Sequence, residues 1–312
     1  MYTSLFTFSQ TIWNDKVAIY TTGTYTVNAV IYTPANYSAA KKYPLVLFMH
    51  GMGEAGTDVN KLYATGLPQL LKGGYKPNFE FVMIAAQRTS YSVDPTWLPG
   101  ILKDAIKRFS IDTTRLYLTG LSAGGWSCFG SQLNVDTTLA KRFAAIVVCS
   151  GATQDANQSN LNWWKSSKTP LWAVVGTSDA MYGYNKDLVD SINKRAPVAS
   201  ITPRPGVGHT GWNQVYDGTI KTATGQNMWQ WMYNFTSLEA PVYLPVRQNS
   251  LKVINKGDGN FYATFVASAT STTKNFVLMH SVDGKNFAPV YVQVPDMLEE
   301  KTYSFNFKIP NQ

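Results

Sequence analysis

Cysteine, histidine and charge are all scarce in this chain: two cysteines, three histidines and 15% charged residues among 312. Two cysteines cannot make a disulfide framework, so Cys128 and Cys149 read as small, buried apolar residues. No apolar run is long enough for a transmembrane helix, so no membrane insertion is expected. Residues 1–10 lack a basic segment and a continuous apolar core, and so do not read as a signal peptide. Acidic residues are outnumbered, 19 against 27 basic, for a net charge of +8. The basic residues are nonetheless scattered, in pairs such as Lys41-Lys42 and Lys107-Arg108. Nucleic-acid binding clusters them, so no nucleic-acid partner is expected. Low charge together with many aromatic residues argues against a disordered chain.

What is present is an alternation of strands and helices. Val17–Tyr20 and Tyr25–Tyr32 read as two antiparallel strands. Leu45–Met49, Phe79–Ala85, Leu116–Leu118, Phe143–Val148, Leu171–Val175 and Ser200–Arg204 follow as short, mostly apolar strands. Helical patterns lie between them at Asn60–Leu71, Leu98–Phe109 and Lys186–Lys194, with a last helix at Met228–Phe235. Apolar strands separated by amphipathic helices predict a mostly parallel sheet with helices on both faces, an α/β fold. From Ala240-Pro241 onward the helical period stops. Leu251–Ile254, Phe261–Ala267, Asn275–His280, Val290–Val294 and Thr302–Ile309 read as strands, with a turn around Asp283-Gly284. The expected division is therefore an α/β domain over 1–239 and a small all-β, sandwich-like domain over 240–312.

The most informative stretch is Gly120-Leu121-Ser122-Ala123-Gly124. A G-x-S-x-G arises by chance in about one chain in ten of this length, so its flanks decide its meaning. An apolar strand, Arg115–Thr119, precedes it, and a potential helix, Gly125–Leu133, follows. Strand, glycine turn, serine and helix make the context of a nucleophile elbow. There the serine hydroxyl projects from the strand's carboxyl end, and the N–H of Ala123 points at a developing oxyanion.

A serine hydroxyl needs a base. His280 falls in the all-β segment. His50 follows a strand and precedes Gly51-Met52-Gly53, where it buttresses a turn suited to oxyanion donation. His209 remains, in the loop Gly206–Gly211 after the last strand, and is the candidate base. The orienting carboxylate is expected between nucleophile and base in chain order. Asp179 meets that condition at the end of Leu171–Val175, whereas Asp187 and Asp190 fall on a helix and Asp217 comes too late. The second oxyanion donor is the N–H of Met52, with Gly51 as the alternative. Gln87, Trp97, Trp163 and Trp212 are candidate substrate contacts at strand ends and loops around the same rim. This constellation calls for no metal and no cofactor.

These residues carry a resemblance. His50–Gly56, Gly120–Gly125, Gly176–Asp179 and Gly208–Trp212 make residues 15–238 similar to α/β-hydrolase serine esterases. The resemblance is to feruloyl and acetylxylan carbohydrate esterases and to polyhydroxybutyrate-depolymerase-like and "predicted peptidase" relatives. The tail resembles fibronectin-type or immunoglobulin-like modules appended to secreted enzymes. The resemblance implies a carboxylic ester hydrolase whose partner is an acyl-ester substrate, feruloyl or acetyl groups on plant polysaccharide. It implies an extracellular enzyme, with a cytoplasmic one as the alternative. A serine peptidase, a lysophospholipase or a polyester depolymerase would use the same triad. A polymer-binding protein with a degenerate hydrolase domain is the reading from outside enzymology.

Overall fold

A computed structural model describes residues 11–20, 24–89, 97–131, 141–152, 161–237, 252–257, 260–268, 276–280, 288–293 and 300–308. The chain divides into two compact units, Met1–Ala240 and Pro241–Gln312.

The first unit is built on eight strands. β1 (Thr11–Tyr20) and β2 (Thr24–Thr33) form an antiparallel pair. They are followed by β3 (Tyr43–Met49), β4 (Val82–Ala86), β5 (Ile111–Leu121), β6 (Phe143–Cys149), β7 (Leu171–Gly176) and β8 (Ala199–Arg204). The order across the sheet is β1-β2-β4-β3-β5-β6-β7-β8. β2 runs antiparallel to β4, and every pairing from β4 through β8 is parallel. β3, β4, β6 and β7 are buried along their whole length, as strands covered on both faces must be.

Alternate residues of each strand feed two separate cores, because successive side chains point to opposite faces. Leu45, Leu47, Leu118 and Ala173 pack with α2 (Trp97–Arg108) and α5 (Tyr182–Asn193). Val46, Phe48, Tyr117 and Val174 pack with α1 (Gly66–Lys72), α6 (Asn213–Tyr216) and α7 (Met228–Met232). The short helices α3 (Ala123–Trp126) and α4 (Trp164–Ser167) complete the unit's described α-helices. α2 shows why the sequence folds so. Leu98, Ile101, Leu102, Ala105 and Ile106 make one buried stripe, and Lys107 and Arg108 sit at the helix's negative end.

Several boundaries differ from the sequence reading. The single helix expected over Asn60–Leu71 is a 3-10 turn, Val59–Tyr63, followed by α1. The break lies at Gly66, whose φ is +75° and which packs against the Phe48 ring. Pro68 also cannot continue a helix from upstream. β1 begins six residues before Val17 because its register with β2 runs to Thr11. After α3 the chain widens into a π turn, Ser127–Ser131. The rest of the expected helix, from 132, lies outside the described residues.

In the second unit the described residues form two antiparallel sheets. One has the order β13-β10-β9 and the other pairs β11 with β12. Their spans are β9 Lys252–Gly257, β10 Asn260–Ser268, β11 Phe276–His280, β12 Ala288–Gln293 and β13 Glu300–Lys308. The turn expected around Asp283-Gly284 lies outside the described residues.

Candidate active site

Ser122 stands between β5 and α3 with φ 53° and ψ −126°, a region that residues other than glycine rarely occupy. Close packing on β3 holds it there. A Cβ on Gly124 would lie 2.0 Å from the Met49 carbonyl oxygen, and one on Gly120 would lie 2.6 Å from Gly124. Only glycine permits that approach. The Ser122 N–H donates to the Cys149 carbonyl at 2.9 Å, tying the turn to β6.

His209 reaches this serine from a loop that is clamped at several points. Arg204, the last residue of β8, donates from Nη1 to the carbonyls of Thr210 at 3.1 Å and Gly211 at 3.0 Å. Its Nη2 bonds the Gln214 side chain. The Gly206 N–H donates to Thr177 Oγ1 at 2.9 Å, and the Ser178 N–H to the Val207 carbonyl at 3.0 Å. The histidine loop is thereby bound to the loop after β7, which carries Asp179.

Asp179 has a side chain only 1% exposed. Its Oδ1 accepts the Met181 N–H at 2.8 Å, and its Oδ2 lies 2.8 Å from His209 Nδ1. His209 Nε2 lies 2.9 Å from Ser122 Oγ. A carboxylate can only accept, so Nδ1 carries the imidazole proton and Nε2 is left to accept from the serine hydroxyl. The three side chains thus form one hydrogen-bonded line from a buried acid to a half-buried hydroxyl.

Two backbone donors flank the serine. Ala123 opens α3, and Met52 opens a 3-10 turn, Met52–Glu54. As first residues of their helices, neither has an intrahelical acceptor for its N–H. Gly51 brings the Met52 turn against the serine: a Cβ there would lie 2.9 Å from Leu121 and 3.6 Å from Ser122 Cβ. His50 holds that turn from behind. The Arg88 N–H donates to His50 Nε2 at 2.9 Å, and His50 Nδ1 lies 2.7 Å from the Gly51 carbonyl. Nε2 is therefore an acceptor and Nδ1 the donor, which is the neutral ring. Burial, aided by the nearby Arg88 charge and opposed by the Gly51 bond, lowers the His50 pKa to about 4. Beneath the same turn, burial pushes the Glu54 carboxyl up, against the opposing pull of the Glu54 and Gly51 N–H groups.

The expected substrate contacts divide. Gln87 is buried, and its Nε2 donates to the carbonyls of Glu54 at 2.9 Å and Asp58 at 2.7 Å. It braces the Met52 turn instead of facing the rim. Trp97 is buried at the start of α2 beneath the Arg88 guanidinium, 4.3 Å from its ring centre. Trp163 is buried against Trp164, with ring centroids 3.6 Å apart. Both were expected at the rim. Their large apolar faces are in the core, where burying an indole stabilises most. Of the four, Trp212 is the one that meets the candidate base, its ring centre 5.0 Å from that of His209. Arg204 and Ser150, whose Oγ accepts from Trp212 Nε1 at 3.2 Å, carry no signal in the sequence: Arg204 meets carbonyls six and seven residues on across a loop with no repeating period, and Ser150 meets an indole 62 positions away.

Cys128 and Cys149 are both buried and free. Among the described residues, no three His, Cys, Asp or Glu side chains gather closely enough to hold a metal ion. No helix among them is long and apolar enough to cross a membrane.

No family model matches the chain. A bifunctional acetylxylan esterase/xylanase of Neocallimastix patriciarum is 26% identical over 164 residues, half of this chain and 22% of that protein. The chain therefore spans about a fifth of that relative. A thermostable esterase of known structure superposes with a TM-score of 0.55 and 19% identity, covering 72% of this chain and 63% of that one. The S-formylglutathione hydrolase of Staphylococcus aureus superposes with a TM-score of 0.52 and 13% identity, covering 67% of this chain and 96% of that one. With its eight-stranded, mostly parallel sheet layered between helices, the first unit has the fold of these ester hydrolases.

Proposed function

We propose that the chain is a serine esterase that hydrolyses carboxylic acyl esters through Ser122, His209 and Asp179. The observation that carries this reading is the hydrogen-bonded line from Asp179 through His209 to Ser122, at 2.8 and 2.9 Å. In the first half-reaction Ser122 Oγ attacks the ester carbonyl carbon while its proton passes to His209 Nε2. The carbonyl oxygen becomes an oxyanion and takes the N–H groups of Met52 and Ala123. The tetrahedral intermediate collapses to an acyl-serine. The alkoxide leaves as an alcohol with the proton held by His209. Water then gives its proton to His209 and attacks the acyl carbon; the acid departs, and Ser122 recovers its proton. Asp179 stabilises the imidazolium at both stages.

For substrate we propose acetyl or feruloyl groups on plant polysaccharide, acted on outside the cell. This rests on the motif resemblance and on the name of the Neocallimastix relative. We assign the chemistry to the first unit, which contains every residue of this mechanism, and an accessory role to the second.

The test is a panel of p-nitrophenyl acyl esters, methyl ferulate, acetylated xylan and peptide amides, run with wild type and Ser122→Ala. Wild type should cleave the esters and leave the amides. Ser122→Ala should lose about 10⁴–10⁶ in kcat, and a fluorophosphonate should label Ser122. Amide cleavage exceeding ester cleavage would replace esterase with peptidase. Labelling of another serine would displace the nucleophile.

A further inference from the structure

Two hydrogen bonds do not fully orient an imidazole. The bonds of His209 to Asp179 and Ser122 run from its two ring nitrogens, so both lie near the ring plane. They fix the ring along the line joining those partners but leave it free to roll about that line. Roll matters for acyl transfer, because Nε2 must first take a proton from the serine and then deliver it to a leaving oxygen lying off the Ser122 axis.

Trp212 is placed to stop the roll. Its ring meets that of His209 at 84° with centroids 5.0 Å apart. The indole is itself pinned: Nε1 donates to Ser150 Oγ at 3.2 Å. Ser150 is 3% exposed and follows β6 directly. Its N–H continues the sheet by donating to the Val174 carbonyl at 2.9 Å. It also has φ +51°, in the left-handed region that costs a non-glycine residue energy. Glycine would fit that backbone without strain, yet glycine offers no hydroxyl. The serine at this position is explained by the indole it holds.

We propose that Trp212, anchored by Ser150, is a positioning residue that sets the roll of the His209 imidazole. This rests on the assignment of His209 as the base. It takes Trp212 out of the role of substrate-stacking aromatic and makes the end of β6 a support of the base.

The experiment measures kcat and KM on p-nitrophenyl acetate and methyl ferulate, and the rate of inactivation by a fluorophosphonate. The proteins are wild type, Trp212→Phe, Ser150→Gly, the double variant and His209→Ala, each checked for folding by circular dichroism. Trp212→Phe keeps an aromatic ring and loses the N–H. Ser150→Gly keeps the left-handed backbone and loses the hydroxyl. Each should lower kcat about tenfold, below the hundredfold that a 1 Å misplacement costs, with KM little changed. The factor should be the same for both esters and for inactivation. The double variant should be no worse than the single ones, since both remove the same hydrogen bond. A loss confined to KM, a loss that differs between the two esters, additive losses, or wild-type rates in both single variants would overturn the proposal. His209→Ala separates the two levels: if it keeps the wild-type rate, the base itself is misassigned; if it is inactive while both single variants are unaffected, only the positioning role falls.

Discussion

Acid should destabilise this protein through a residue that does no chemistry. His50 is 2% exposed, and its Nε2 is occupied as the acceptor of the Arg88 N–H. A proton placed on Nε2 would set donor against donor in a buried site. The unfolded chain takes up this proton near the ordinary value of 6.5, the folded chain only near about 4. Between those values the unfolded state binds more protons, so stability is intact above pH 6.5 and is lost as pH falls toward 4. At about 1.4 kcal/mol per pH unit the gap amounts to about 3 kcal/mol, a large part of the ~5–15 kcal/mol that holds a typical domain. His50→Gln is the comparison, because an amide can donate and accept at the same site without titrating. All nine tryptophans lie between Trp13 and Trp231, so tryptophan fluorescence during urea unfolding reports the first unit alone. From pH 7 to pH 4 the wild type should lose about 3 kcal/mol more than His50→Gln. With three histidines in the chain, imidazole NMR signals can be assigned by substitution, and that of His50 should remain neutral at pH 5. If wild type and variant lose stability in parallel, or if the His50 ring titrates near 6.5, the buried neutral imidazole does not support the Met52 turn as argued.

Asp179→Asn should fold normally and lose about 10³–10⁴ in kcat, read from ester turnover, because an amide no longer enforces the Nδ1–H tautomer. Arg204→Met frees two loop carbonyls and the Gln214 side chain; it should lower kcat at least about tenfold and stability by about 2 kcal/mol, seen in the urea midpoint. Gly124→Ala would put a methyl group 2.0 Å from the Met49 carbonyl oxygen; a loss of at least about 3 kcal/mol should appear as insoluble or early-melting protein, and wild-type melting would refute the packing argument. A chain ending near Leu238 should hydrolyse p-nitrophenyl acetate at a similar rate per folded molecule, since the residues assigned to chemistry all precede that point; a folded but inactive truncation would refute the assignment of chemistry to the first unit.

Much of the candidate site could be read from the chain because it is written in local signals. The glycines at 120 and 124 mark a turn that no other residue permits, and apolar runs such as Leu45–Met49 and Leu171–Val175 mark strands buried on both faces. Once those strands are ordered, the loops carrying Asp179 and His209 fall at the same sheet edge as Ser122, and the structure brings the three side chains within hydrogen-bonding distance. The surroundings were decided only by tertiary packing. An indole in a loop has the same local pattern whether it faces solvent or core, so Trp97 and Trp163 were expected at the rim and are buried. Gln87 ends a strand, yet its amide finds carbonyls at Glu54 and Asp58, about thirty residues away. Ser150 meets Trp212 across 62 positions. Backbone turns and strand faces follow from each residue's own neighbours in sequence. Which polar group a side chain satisfies, and which face an aromatic ring covers, depends on elements that meet only after the sheet has assembled.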